Sequence, residues 1–199
     1  MSPVDPLAGV SRETISRLET LLSVLAKWNP RINLVGPATL AQAWQRHILD
    51  SAQIFPLLPG EPGLVDLGSG AGFPGLVLAI LGAEPVHLIE SDQRKCAFLA
   101  EAARATGTRI VLHNTRIEAA PPIEAAAVTA RALKPLAQLL ELGHRFHRPG
   151  AACYFHKGAS WEQELREAQG KWRFRAVAHP SVVDPAGVVL ELREIERGG

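Results

Sequence analysis

The sequence predicts an α/β fold: a mostly parallel sheet of seven strands, covered by helices on both faces, closed by an antiparallel edge and preceded by a helical arm. Three observations predict it. Strand-length apolar runs alternate with amphipathic segments from residue 64 onward, a cluster of glycines follows the first run, and the first 60 residues read as helical.

In the arm, Ser11 is a good N-cap, and Val10 and Ile15 occupy the two positions of a hydrophobic staple. Ile15, Leu18, Leu21, Leu22 and Leu25 recur at helical spacing, predicting a helix to about Trp28 that Pro30 stops. Thr39 and Gln42 fit a capping box for a second helix ending near Ala52. Trp28 and Trp44 stand at apolar helical positions and read as core. Pro59-Gly60-Glu61-Pro62-Gly63 then marks a boundary, giving an arm over 1–60 and one compact domain over 61–199.

Leu64–Leu67 reads as a buried strand, followed by the glycine loop and a helix that Pro74 opens and Gly82 closes. Val86–Glu90 is the second strand, and Asp92 caps a helix to about Thr106, which Gly107 ends. Arg109–His113 and Ala125–Ala130 are the third and fourth strands, and Pro135–Phe146 is a helix. Ala151–His156 is the fifth strand, and Trp161–Gly170 a last helix. Trp172–Ala178 and Val188–Ile195 face each other across Asp184-Pro185-Ala186-Gly187 as a hairpin. Such alternation implies right-handed crossovers and a parallel sheet.

Composition narrows the function. A chain of 199 residues suits one domain. A net charge of +1 argues against indiscriminate coating of nucleic acid, although a local basic face is compatible with it. No apolar run approaches the roughly 18 residues of a membrane span. The start, Met1 to Pro6, lacks the features of a secretory signal. Cys96 and Cys153 form no CxxC pair, so a reduced, cytoplasmic protein is expected, and nothing requires a dimer. No His/Cys/carboxylate cluster has metal spacing, and no Cys-His pair suggests a covalent intermediate.

Ligands of parallel sheets bind beyond the carboxyl ends of the strands, where strand order reverses. Here Asp66-Leu67-Gly68-Ser69-Gly70-Ala71-Gly72-Phe73-Pro74-Gly75 leaves the first strand, making Gly68, Ser69, Gly70 and Gly72 candidate cofactor contacts. Glu90 closes the next strand, where a carboxylate suits the ribose hydroxyls of an adenosine. Gly70 to Gly75 also fits the GxGxxG pattern of nicotinamide dinucleotides, so an NAD-dependent oxidoreductase is the rival. Asp66 before the glycines and Pro74, which removes an amide where a phosphate needs one, favour S-adenosylmethionine, with its ammonium and sulfonium.

Trp28 to Leu34, Arg46 to Ser51, Asp66 to Gly75, Arg116-Ile117-Glu118, Thr129 to Ala132 and Lys157-Gly158 together resemble the ribosomal RNA small-subunit guanine-N7 methyltransferases, the methyltransferase G or glucose-inhibited division protein B family. The resemblance spans nearly the whole chain and implies a Rossmann-like class I S-adenosylmethionine-dependent fold. The implied reaction moves a methyl group to N7 of a guanine in the 530 loop of 16S ribosomal RNA, free or in the small subunit. It implies that Gly68 and Phe73 touch cofactor, that Ile117 and Glu118 flank the adenine, and that Arg131 lies near the reacting end. The family's Asn-Leu-Thr is Asn33-Leu34-Val35 here, which removes a hydroxyl from the arm. A cofactor-binding RNA-interaction protein without catalysis is the other alternative.

Thr129-Ala130-Arg131-Ala132 stands where amine methylases often carry an Asn/Asp-Pro-Pro-Tyr-like motif. Guanine N7 is a lone pair, so in-line transfer needs positioning and no general base. Arg46, His47, Arg94, Lys95, Arg116 and Lys157 are the candidate RNA contacts. His47 and Asp50, three apart, read either as a functional pair or as a pair holding the arm to the sheet domain. His144 and His147 read as surface residues.

Overall fold

The computed structural model describes residues 5–198, so residues 1–4, which include most of the segment read above for a secretory signal, lie outside the described residues. Helix α1 (Arg12–Ile32) begins where Ser11 caps it, its hydroxyl accepting from the Thr14 amide. It runs past Pro30 rather than stopping there. The proline lies in the last turn, so only a few residues follow it before Asn33 turns into the left-handed region. Buried Asn29 then pins the chain by exchanging two hydrogen bonds with the backbone of Val35, a core residue in this chain.

The second arm helix is split. Helix α2 (Pro37–Leu40) starts with its proline at the first turn, so Thr39 lies inside it and bonds back to the Gly36 carbonyl instead of capping a longer helix. A turn of π-helix, Trp44–Leu49, follows and leads into α3 (Asp50–Ala52). Such widened turns recur at functional sites, and this one carries Arg46 and His47.

The remaining elements are β1 (Leu64–Leu67), α4 (Gly75–Leu81), β2 (Val86–Glu90), α5 (Gln93–Thr106), β3 (Val111–Asn114) and β4 (Ala125–Arg131). They are followed by α6 (Leu136–Gly143), β5 (His147–Lys157), α7 (Trp161–Gln169), β6 (Trp172–Pro180) and β7 (Val188–Arg197). The sheet order is β3-β2-β1-β4-β5-β7-β6. Strand β7 is antiparallel to both neighbours and sits one place in from the edge that β6 forms. Strand β5 begins four residues before the expected Ala151, with an irregular register against β4.

Two apolar layers clasp the sheet. Leu18, Leu21 and Leu25 of α1 and Ile48 of the arm join Leu76, Leu78, Phe98 and Leu99 on one face. Leu136, Leu139, Phe146, Phe155 and Trp172 fill the other. Arm and sheet therefore share one core, and Trp28 packs edge-on against Phe98 as core. Gly75 allows α4 to lie against β1, since a Cβ there would meet Leu88 Cδ2 at 2.6 Å and Asp66 Oδ2 at 2.7 Å.

Candidate active site

Strand order reverses between β1 and β4, which run side by side with β2 and β3 on one flank and β5 on the other. Gly68 leaves the tip of β1 and Arg131 ends β4, so both stand at the switch point. Gly68 has φ +63°, a conformation in which any side chain is strained, and a Cβ there would lie 2.8 Å from Leu133 Cδ1, which would have to shift.

A cavity of about 290 Å³ opens here, lined by Gly68, Gly70, Glu90, Ile117, Glu118 and Arg131, with Lys95, Arg116 and Lys134 around it. Glu90 is almost buried and organises the loop: one carboxylate oxygen accepts from the Gly70 amide at 2.9 Å and the other from the Asp92 amide at 2.8 Å. Each oxygen keeps lone-pair capacity for a ligand hydroxyl. Ile117 supplies an apolar wall. An adenosine fits this donor and acceptor set.

Four loop residues behave differently from their reading. Ser69 is buried and donates its hydroxyl to the Asp66 carbonyl, and Gly72 packs against Leu76 and Leu99. Neither lines the cavity. Phe73 is buried too, stacked on the His47 ring at 4.8 Å and lying 5.2 Å from the Arg131 guanidinium. Asp66, read from sequence as a carboxylate facing a cationic cofactor, is buried beneath the loop and accepts from the Thr129 hydroxyl at 2.7 Å. Burial raises its carboxyl to about 6, against the opposing pull of Thr129 and Ser69. These residues build the loop from below.

A second cavity, of about 310 Å³, lies on the other side of Arg131 and shares Arg131 and Ala132 with the first. Its walls come from Arg46, His47 and Asp50 of the arm, His156 and Lys157 of β5, and the β6–β7 turn. Arg131 donates to the Arg46 carbonyl at 3.0 Å, to Asp50 Oδ2 at 3.2 Å and to His47 Nδ1 at 2.8 Å. His47 must therefore offer a bare Nδ1. Burial lowers it to about 4, and the charge of Arg131 acts in the same direction, so the ring is neutral at pH 7. Asp50 is the hub: it also accepts from Gln53 and Ser181, while its carbonyl accepts from His156 Nε2 at 2.7 Å. The π-helical turn thus brings His47 and Asp50 together on Arg131, tying the arm to the tip of β4.

This layout matches a known family. The description rRNA small subunit methyltransferase G, or GidB, fits residues 14–189. Ribosomal RNA small subunit methyltransferase G of Paramagnetospirillum magneticum is 54% identical over 96% of this chain and 94% of its own length. The Rhodospirillum rubrum protein of that name is 56% identical over 94% of each chain. The chain belongs to the GidB family. Solved structures with the same fold include M. jannaschii TYW2 in complex with AdoMet, with a TM-score of 0.60, 14% identity and 77% of each chain covered. Another is the Aquifex aeolicus tRNA (m1A58) methyltransferase TrmI, with a TM-score of 0.56, 18% identity, and 72% of this chain and 68% of that one covered. Their likeness establishes the Rossmann-like class I methyltransferase architecture, and with family membership it sets the oxidoreductase reading aside.

Among the basic residues of this GidB chain, Lys95 and Arg116 reach the first cavity and Arg46 the second. Lys157 does not serve as a free cation, because its ammonium is nearly buried, 2.7 Å from both Glu164 and the Lys134 carbonyl. Arg94 is exposed and paired with Asp92. Lys134, which lines the first cavity, was missed; directly after the Arg131-Ala132-Leu133 turn, its place in sequence was the available signal. One Cys-His contact is present, with His147 Nε2 2.9 Å from Cys153 Sγ. Burial pushes the thiol up and the imidazole down to about 4, so the pair stays neutral and gives no nucleophile. His147 is consequently a partly buried packing residue rather than a surface one.

Proposed function

We propose that the chain binds S-adenosylmethionine in the Gly68–Glu90–Ile117 cavity and transfers its methyl group to N7 of a guanine in the 530 loop of 16S ribosomal RNA. The observation that carries this reading is the pair of cavities meeting at Arg131 and Ala132, in a chain of the rRNA small subunit methyltransferase G family. One cavity suits an adenosine, and the other stands ready for an acceptor.

When bound, S-adenosylmethionine supplies an electrophilic methyl group on a sulfonium. Glu90 holds the ribose hydroxyls, Gly68 and Gly70 let backbone come close, and Ile117 packs against the adenine beside Glu118. Guanine N7 carries no proton, so nothing must be removed from it. His47 Nδ1, beside the acceptor cavity, is already accepting from Arg131 and is unsuited to proton transfer. The protein's contribution is alignment, with Arg131 held by three acceptors at the wall between donor and acceptor.

Arg46, Lys95, Arg116 and Lys134 surround the two openings and would hold phosphates of the RNA. The arm over 1–60 and the domain over 61–199 work as one unit, since the acceptor cavity needs both. No helix among the described residues is long and apolar enough to cross a membrane. The reading places the chain in the cytoplasm, acting as a monomer on the small subunit. Tritium transfer from labelled S-adenosylmethionine into 16S RNA or small-subunit particles tests the reading. Failure to label either, across salt and assembly states, would favour a binding protein without catalysis.

A further inference from the structure

The structure assigns the cavity between the arm and the β6–β7 turn to a single extruded guanine, and we propose that Asp184 reads its Watson–Crick edge. The inference rests on the methyl-transfer reading above. Two observations carry it: the cavity itself, which shares Arg131 with the donor site, and a lining carboxylate that keeps one oxygen without a protein partner.

An enzyme that modifies a base atom takes the base out of the stack into a fitted cavity. The cavity beside Arg131, at about 310 Å³, has room for one base. Arg131 lines the cavity from the tip of β4, and Asp184 lines it from the β6–β7 turn. In guanine, N7 and the N1–H/N2–H₂ donors lie on opposite edges. A base with N7 toward the Arg131 wall presents those donors away from it.

Asp184 is the acidic side chain on the wall that the β6–β7 turn supplies. Its Oδ1 accepts from the Ala186 amide at 3.0 Å, shaping the turn, while Oδ2 has no hydrogen-bond partner among the described residues. Asp50, the other carboxylate lining the cavity, is already engaged by Arg131, Gln53 and Ser181. A carboxylate accepting from both N1–H and N2–H₂ distinguishes guanine from adenine, which presents a bare N1.

The test is methyl transfer into small-subunit particles whose acceptor position holds either guanosine or inosine, which lacks the 2-amino group. Wild-type protein should prefer guanosine by about 10- to 100-fold in kcat/KM, the usual discrimination of a bidentate contact. Asp184→Asn keeps an oxygen for the Ala186 amide, so the turn is preserved, but it replaces one acceptor by a donor. It should lose about 10- to 100-fold on guanosine, reduce the guanosine-to-inosine ratio to below about threefold, and leave S-adenosylmethionine affinity unchanged. Wild-type rates on guanosine in D184N, or equal losses on both acceptors, would overturn the assignment while leaving the methyltransferase reading intact. No transfer by wild-type protein would instead overturn the reading on which it rests.

Discussion

Arg131 at the tip of β4 donates to the Asp50 carboxylate of the arm at 3.2 Å, with both side chains less than one-fifth exposed. This bond joins the two chain segments that enclose the second cavity. Burial alone would depress the guanidinium, and the charge of Asp50 opposes that most strongly.

Arg131→Ala should lower kcat for methyl transfer by about 100-fold, the scale of loss expected when reacting groups are displaced by about an ångström. Affinity for S-adenosylmethionine should change only a few-fold. Single-turnover kinetics with calorimetry on the same protein checks both, and an unchanged kcat would remove Arg131 from the chemistry. Arg131→Lys should rescue little, because an ammonium cannot reproduce the guanidinium fork that meets three acceptors.

Glu90→Ala should weaken S-adenosylmethionine binding by about 10- to 100-fold, since it removes charge-assisted acceptors from two loop amides as well as from the ribose. Calorimetry measures this directly. Affinity equal to wild type would place the cofactor elsewhere.

Asp66 gives a pH signature. Its folded carboxyl is raised to about 6 from an ordinary 3.8, so between those values the folded state binds more protons than the unfolded one. Its contribution to stability is fully present below about 4 and is lost as pH rises through about 6. His47, lowered to about 4, has the opposite sign: its contribution is present above 6.5 and lost as pH falls toward 4. Denaturant titrations of wild type and Asp66→Asn from pH 4 to 8 separate the two. The difference, wild type minus variant, should fall as pH rises and then level off above about pH 7. A difference independent of pH would show that Asp66 does not titrate there.

Lys157 and Arg116 should part company. Lys157→Ala should destabilise the protein by about 1–3 kcal/mol by removing the nearly buried ammonium that bonds Glu164 and the Lys134 carbonyl, with no change in the salt dependence of RNA binding. Arg116→Gln should leave stability alone and reduce the log–log salt slope by about one. Equal slopes for the two variants would contradict the assignment.

Much of this site was legible in the sequence because it depends on local signals. The Asp92 cap, the Gly107 stop and the strand ending at Glu90 all lie where glycine, capping and apolar alternation put them. The cavity at the β1–β4 switch point lies where a parallel sheet, which alternation predicts, places its ligands. What escaped was set by tertiary contact. Nothing local marks Phe73 as the platform under His47, turns Asp66 beneath the loop, or ties Lys157 to Glu164. Pro30 was read as a stop, yet a proline in a final turn costs little when a buried Asn29 holds the exit. The capping-box reading failed because Pro37, two residues earlier, set the helix start first.

The central claim is methyl transfer to one defined position, and the most direct measurement is to locate the methyl group. Small-subunit particles incubated with the protein and S-adenosylmethionine, then mapped nucleotide by nucleotide, should gain a single methyl, on N7 of a guanine in the 530 loop of 16S RNA. A methyl on another atom or another loop, or none at all, would contradict the account.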